Sequence, residues 1–157
     1  MSDFITDFLR RHSAHLKHHH HVIVGGLLIQ NNKALIVRRS VEEDFMPGSY
    51  DLPGGGLKAG EKPEEGLMRT YFEETSIAIQ PLVPYYAFMW ESDQLIKHCI
   101  QIDYLIKPAK KGLEIKLDAE HSAYRWLMAS EIPGLKMADE LKLSLKRGFE
   151  LAKQWNI

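Results

Sequence analysis

The spacing of apolar and polar positions divides this chain into extended and helical stretches. Val22 to Gln30 and Ala34 to Arg39 are apolar runs separated by Asn31-Asn32-Lys33, a pattern that predicts two strands joined by a hairpin or tight connection. Pro81 to Trp90 and Leu95 to Ile106 are further strand candidates, with Glu91-Ser92-Asp93 as the turn between them, and Ala123 to Leu127 is a short one. From Glu64 to about Thr75, Leu67, Met68, Tyr71 and Phe72 form i,i+4 pairs, which predicts a helix with that side toward a core. Pro63 suits its first turn, where no N–H is needed, and Glu64 and Glu65 complement the positive end of the helix dipole. A closing helix is expected from about Asp139 to Trp155 on Leu141, Leu143, Leu145, Phe149 and Leu151. At the other end, Phe4, Ile5, Phe8 and Leu9 space an N-terminal helix from about Asp3 to Leu16, expected to pack on the domain's own sheet. Periodicity alone gives an α/β or α+β chain.

Composition narrows the setting. A chain of 157 residues that is 45% hydrophobic is long enough for one compact domain without metal or disulfide staples. Its net charge of −1, with acids and bases interspersed, offers no basic stripe for a nucleic-acid polymer and no electrostatic attraction to a membrane. Cys99 is the only cysteine, so an intramolecular disulfide is impossible and a reducing compartment is expected. The N-terminus lacks the basic start and apolar run of a signal peptide, and the expected location is the cytoplasm. His18 to His21 run directly into Val22 and read as the start of a strand; alternation sends consecutive side chains to opposite faces, a poor metal chelate.

The candidate chemistry lies between these elements. Gly54, Gly55 and Gly56 let the backbone approach a ligand, and Gly60 allows a second sharp turn before the helix. The helix carries Arg69 and the adjacent acids Glu73 and Glu74, with Arg69 and Glu73 one turn apart. Mg²⁺ is usually held by one or two carboxylates together with substrate phosphates and waters, so a glycine turn feeding paired carboxylates outlines a Mg²⁺-diphosphate site.

These residues resemble the Nudix hydrolases, whose signature is G-x5-E-x7-R-E-U-x-E-E-x-G-U with U a bulky apolar residue. Gly55, Glu61, Arg69, Tyr71, Glu73, Glu74 and Ile77 stand at signature positions, and Leu52-Pro53-Gly54 leads into them. Thr70 replaces the glutamate after the arginine, and Ser76 replaces the glycine near the helix end. The resemblance covers the chain from about Val22 and implies an α/β/α sandwich around a mixed sheet in residues 22–157, with residues 1–21 as a helical extension. It implies Mg²⁺, with Mn²⁺ as a substitute, held by Gly55, Glu73 and Glu74, and a brace formed by Glu61 and Arg69. A threonine hydroxyl is no base near neutral pH and could at most orient a water, so the resemblance points to a loop acid, Glu120 first and Asp118 second, as its replacement.

The same resemblance suggests a substrate contact for Arg38, which reads equally as a solvated strand end beside Arg39. Asp139 stands where some members read a base edge; as plain physics it is the N-cap of the last helix, the favoured reading. Phe45, Tyr50 and Trp90 are able to stack on a base, though a core position is the first expectation. The implied reaction is hydrolysis of a nucleoside diphosphate linked to another moiety. A nucleoside triphosphate is the first expected substrate and a nucleotide sugar or ADP-ribose the next, with a nucleotide-binding module of weak activity as the alternative that Thr70 raises. A homodimer is compatible with the family, but no interface is legible.

Overall fold

A computed structural model describes residues 20–92 and 97–156, and the side chains of all of these except Ser92 and Lys97. The helix expected from Asp3 to Leu16, His18 and His19, and the segment 93–96 of the expected turn and following strand lie outside the described residues. The elements are β1 (His20–Gln30), β2 (Lys33–Arg39), β3 (Tyr50–Asp51), β4 (Gly54–Gly56), α1 (Pro63–Thr75), β5 (Ile79–Ser92), β6 (Lys97–Pro108), β7 (His121–Met128), a 3₁₀ turn (Ala129–Gly134) and α2 (Asp139–Gln154).

The sheet is mixed. Its order is β3-β2-β1-β6-β5, with β4 added to β1 and β7 to β2. β1 and β6 run parallel from His20 opposite His98 to Leu28 opposite Ile106, and the remaining pairs are antiparallel. The apolar runs are continuous rather than alternating because both faces of the sheet are covered. Leu27, Ile29, Ala34 and Ile36 face one core with Leu141 and Leu145 of α2, whereas Val24, Leu28 and Leu35 face the other with Leu67 and Tyr71 of α1. Gly26 lets Tyr71 lie flat on β1, since a Cβ there would stand 2.8 Å from the ring. The result is the expected sandwich of helices on a mixed sheet.

Several expected boundaries move. Glu91 and Ser92 continue β5 instead of turning, because pairing persists through Glu91 opposite His98 and Ser92 opposite Lys97. β5 is an edge strand, which is how it accommodates Pro81 and Pro84; both coincide with shifts in its register against β6. The glycine turn forms β4, antiparallel to β1, because Gly54, Gly55 and Gly56 pair with Gly25, Val24 and Ile23. β7 starts two residues early, at His121. On α1, Leu67 and Tyr71 are buried but Met68 and Phe72 are 40% and 53% exposed, contrary to the four-residue apolar face expected. The helix is turned so that small or polar Gly66 and Thr70 also face inward. Asp139 is not the N-cap of α2: Ala138 occupies that position with no side-chain cap, and Asp139 is the first helical residue. Among the described residues no helix is long and apolar enough to cross a membrane.

Candidate active site

The pairing of β4 with β1 seats the glycine strand against α1. Gly54 crosses over Val24, and a Cβ on it would collide with the Val24 carbonyl oxygen. Its N–H points at α1 and donates to Glu74 Oε2 at 3.0 Å. One residue on, Gly55 lies against Thr70, with a built Cβ 3.0 Å from the threonine methyl. Strand and helix thus meet through Gly54 at Glu74 and Gly55 at Thr70.

Arg69 ties the rest of the loop down. Its Nε donates to Glu61 Oε1 at 2.7 Å and one terminal nitrogen to Glu61 Oε2 at 2.7 Å, a bidentate pair, while the guanidinium also reaches the Gly56 carbonyl at 3.1 Å and Glu73 at 3.1 Å. Glu61 further accepts the Lys58 N–H at 2.8 Å. These hydrogen bonds, Arg69 foremost, hold the Glu61 carboxyl down at about 2. The pair thus ties Glu61 and the Gly56 carbonyl to α1.

Thr70 turns its hydroxyl back onto its own helix. It is buried, and its hydroxyl donates to the Gly66 carbonyl at 2.8 Å on its own helix. Ser76 ends the helix in the left-handed conformation, at φ 59° and ψ 15°, with its N–H donating to the Phe72 carbonyl. It adopts the backbone that the signature glycine adopts easily.

Glu74 stands among other acids. Burial pushes its carboxyl up to about 9, opposed by the Gly54 N–H and reinforced by the charges of Asp51, Asp118 and Glu120. Glu120 is exposed in the turn before β7, where its carbonyl accepts the Ser40 N–H. Asp51 was not marked by the sequence reasoning; burial raises it to about 7, Arg39 opposing and Asp103 adding to the effect. An all-oxygen acidic set of this kind fits a hard divalent cation. Among the described residues no three His, Cys, Asp or Glu side chains form a ready-made cage.

Next to these acids lies a cavity of about 330 Å³ lined by Phe45, Trp90, Phe88, Asp51, Gln101 and Asp139, among others. Phe45 and Trp90 stack at 5.0 Å and 18°, half-buried on the cavity wall instead of in a core. Tyr50 packs against the core beneath Arg125. Of the two arginines ending β2, Arg39 acts on Asp51 and pairs with Glu43 at 3.2 Å, whereas Arg38 is exposed and donates to the Gly48 carbonyl at 3.2 Å. The structure places Asp139 at the cavity, while the Arg38 side chain is held at the Gly48 carbonyl. Sequence reasoning also passed over His121, whose only signal was its place beside Glu120.

The NUDIX domain family matches residues 19–147. The chain is 32% identical over 100 residues to the asymmetrical bis(5'-nucleosyl)-tetraphosphatase of Rattus norvegicus, an alignment covering 62% of this chain and 68% of the relative. The MutT protein of Methanosarcina mazei Go1 superposes with a TM-score of 0.70 at 26% identity, over 89% of this chain and 97% of the other. An ADP-ribose pyrophosphatase of Streptococcus suis 89-1591 shares the fold at a TM-score of 0.66 and 14% identity, over 85% and 92% of the two chains. With the glycine strand, the Glu61–Arg69 brace and Glu74 in register, these matches make the chain a member of the Nudix hydrolase family, an enzyme acting on nucleoside diphosphate derivatives.

Proposed function

We propose that the chain hydrolyses a phosphoanhydride of nucleoside polyphosphates, with dinucleoside polyphosphates as its preferred substrates. One observation carries the reading: Asp51 lines the aromatic cavity and its charge also acts on Glu74, so a base held by Phe45 and Trp90 puts its phosphates over the acidic site. The nucleoside triphosphate favoured by the sequence moves to second place on the name of the rat relative, to which this chain is 32% identical.

In this reading Glu73, Glu74 and the Gly55 carbonyl would hold Mg²⁺, or Mn²⁺ in its place, which would supply neutralisation of phosphate charge and a more acidic water. Glu61 and Arg69 keep the loop and α1 in register. Glu120, exposed and close enough to act on Glu74, accepts the proton of the attacking water. That water adds to phosphorus as the bridging P–O bond breaks, and the leaving phosphate carries off the electron pair. Asp139 and the stacked aromatics meet the nucleoside, while Arg38 serves only phosphates that extend past the cavity. A nucleotide is the partner, and the cytoplasm supplies it. The test is product analysis with diadenosine tetraphosphate and ATP under Mg²⁺. AMP plus ATP from the first, faster than AMP plus pyrophosphate from the second, is the expected outcome; faster turnover of ATP or of ADP-ribose would replace this substrate assignment.

A further inference from the structure

A buried polar chain ends at the aromatic cavity. Asp103 of β6 is fully buried, and a Cβ on Gly25, which stands opposite it on β1, would lie 2.5 Å from its Oδ1. The missing side chain on β1 thus makes room for the carboxyl. Ser144 of α2 donates to Asp103 Oδ2 at 2.6 Å and lies 2.9 Å from the Tyr85 hydroxyl. Tyr85 reaches it because the register of β5 slips between Pro84 and Tyr86, leaving Tyr85 as an extra residue, and such a bulge re-aims a side chain. Gln101, on the same face of β6 as Asp103, donates from Nε2 to Oδ1 at 2.9 Å. It is the end of the chain that lines the cavity, beside Phe88, its partner on β5.

An amide is nearly the same shape at its oxygen and at its nitrogen, so an unrestrained glutamine meets donors and acceptors alike. Asp103 removes that ambiguity. Its Oδ1 accepts from Nε2, which leaves the amide with Oε1 as an acceptor and with the second Nε2 hydrogen as a donor. The orientation does not need the charge on Asp103, because Ser144 is able to accept a proton from Oδ2 and donate its own to Tyr85 while Oδ1 stays as it is. Adenine presents the matching edge, the N6 amino donor next to the N7 acceptor, and a glutamine amide meets both at once. Hypoxanthine has the same shape but presents two acceptors there, O6 and N7. The charged side chains on the cavity wall add to the contrast among the described residues, for Asp51, Glu91, Asp139 and Glu140 are all acids. They favour an amino group over a keto oxygen.

We propose that Gln101 determines the base specificity of the enzyme, reading adenine through its N6 amino group and N7, and that Asp103 is the positioning residue that fixes the direction of its amide. The proposal rests on the reading of the aromatic cavity as the base site.

Diadenosine and diinosine tetraphosphate, and ATP and ITP, differ only in the base, so the ratio of kcat/KM within each pair cancels the phosphate chemistry. Under Mg²⁺ the parent is expected to favour the adenine compound about tenfold or more. Gln101→Leu is expected to bring the ratio within about twofold of one. Asp103→Asn keeps an oxygen for Ser144 and turns an amide N–H toward Gln101, which reverses that side chain, so its ratio falls to one or below. Ser144→Ala leaves Oδ1 in place; it melts lower and keeps the adenine preference. A ratio that falls in every variant in step with the melting temperature, Ser144→Ala included, marks a structural effect and overturns the proposal. An adenine preference that survives Gln101→Leu overturns it too, and that variant decides alone should Asp103→Asn not fold. Full adenine preference in a folded Asp103→Asn overturns the positioning role. A parent that hydrolyses none of the four nucleotides overturns the reading of the cavity and the proposal with it, whereas equal kcat/KM within both pairs overturns the proposal alone.

Discussion

The Thr70 hydroxyl donates to the carbonyl oxygen of Gly66, 2.8 Å away and one turn back on α1, while its methyl faces Gly55. The residue that departs most from the family signature therefore packs the glycine strand onto the helix, with its hydroxyl bonded within α1. Thr70→Val keeps the shape and deletes the hydroxyl. Its kcat is expected to stay within about twofold of the parent, since the lost bond is local to the helix. Steady-state kinetics check this; a loss of tenfold or more would return the hydroxyl to the chemistry.

The Glu61–Arg69 pair should appear as acid sensitivity. Glu61 is held at about 2, below an ordinary carboxylate. A depressed carboxyl contributes stability that is complete above its unfolded value, near 4.3, and is lost as pH falls toward the folded one. Urea midpoints should therefore drop more steeply between about pH 4.5 and pH 2 in the parent than in Glu61→Gln. Parallel curves would show that the pair contributes nothing to folding.

Ser76 holds left-handed backbone at φ 59°, partly compensated by its hydroxyl bond to the Lys116 carbonyl. That conformation costs a residue with a Cβ about 1–2 kcal/mol. Ser76→Gly relieves it and gives up an exposed hydrogen bond, so a net gain of about 1 kcal/mol, or roughly 2–4 °C in Tm, is expected. Thermal denaturation with an unchanged or lower Tm would contradict it.

Trp90 should matter to binding more than to chemistry. Aromatic stacking on a base contributes about 1–3 kcal/mol, so Trp90→Ala is expected to raise KM roughly tenfold and leave kcat nearly unchanged. Equal loss in kcat and kcat/KM would instead move the aromatic cavity into the transition state.

What was legible in the sequence is what short-range spacing determines. A turn and the helix after it fix their own geometry, so Glu61 pairs with Arg69 and the glycine strand meets α1 at Glu74 and Thr70. The inward face of α1 lies one strip from the expected one, because Met68 and Phe72 are as apolar as Leu67 and Tyr71, and what favours the other face is Gly66 against Leu57 and Glu61 and Thr70 against Gly55. His121 and Asp51 were invisible for a similar reason: each is a polar residue at a strand end, and its partners lie on other strands and on α1.

The most direct test of the account is the initial rate of AMP and ATP release from diadenosine tetraphosphate under Mg²⁺, with Glu74→Gln beside the parent. Glutamine keeps an acceptor for the Gly54 N–H and removes the charge. The account predicts a fall of about a hundredfold or more at an unchanged melting temperature. A Glu74→Gln enzyme as fast as the parent would contradict it.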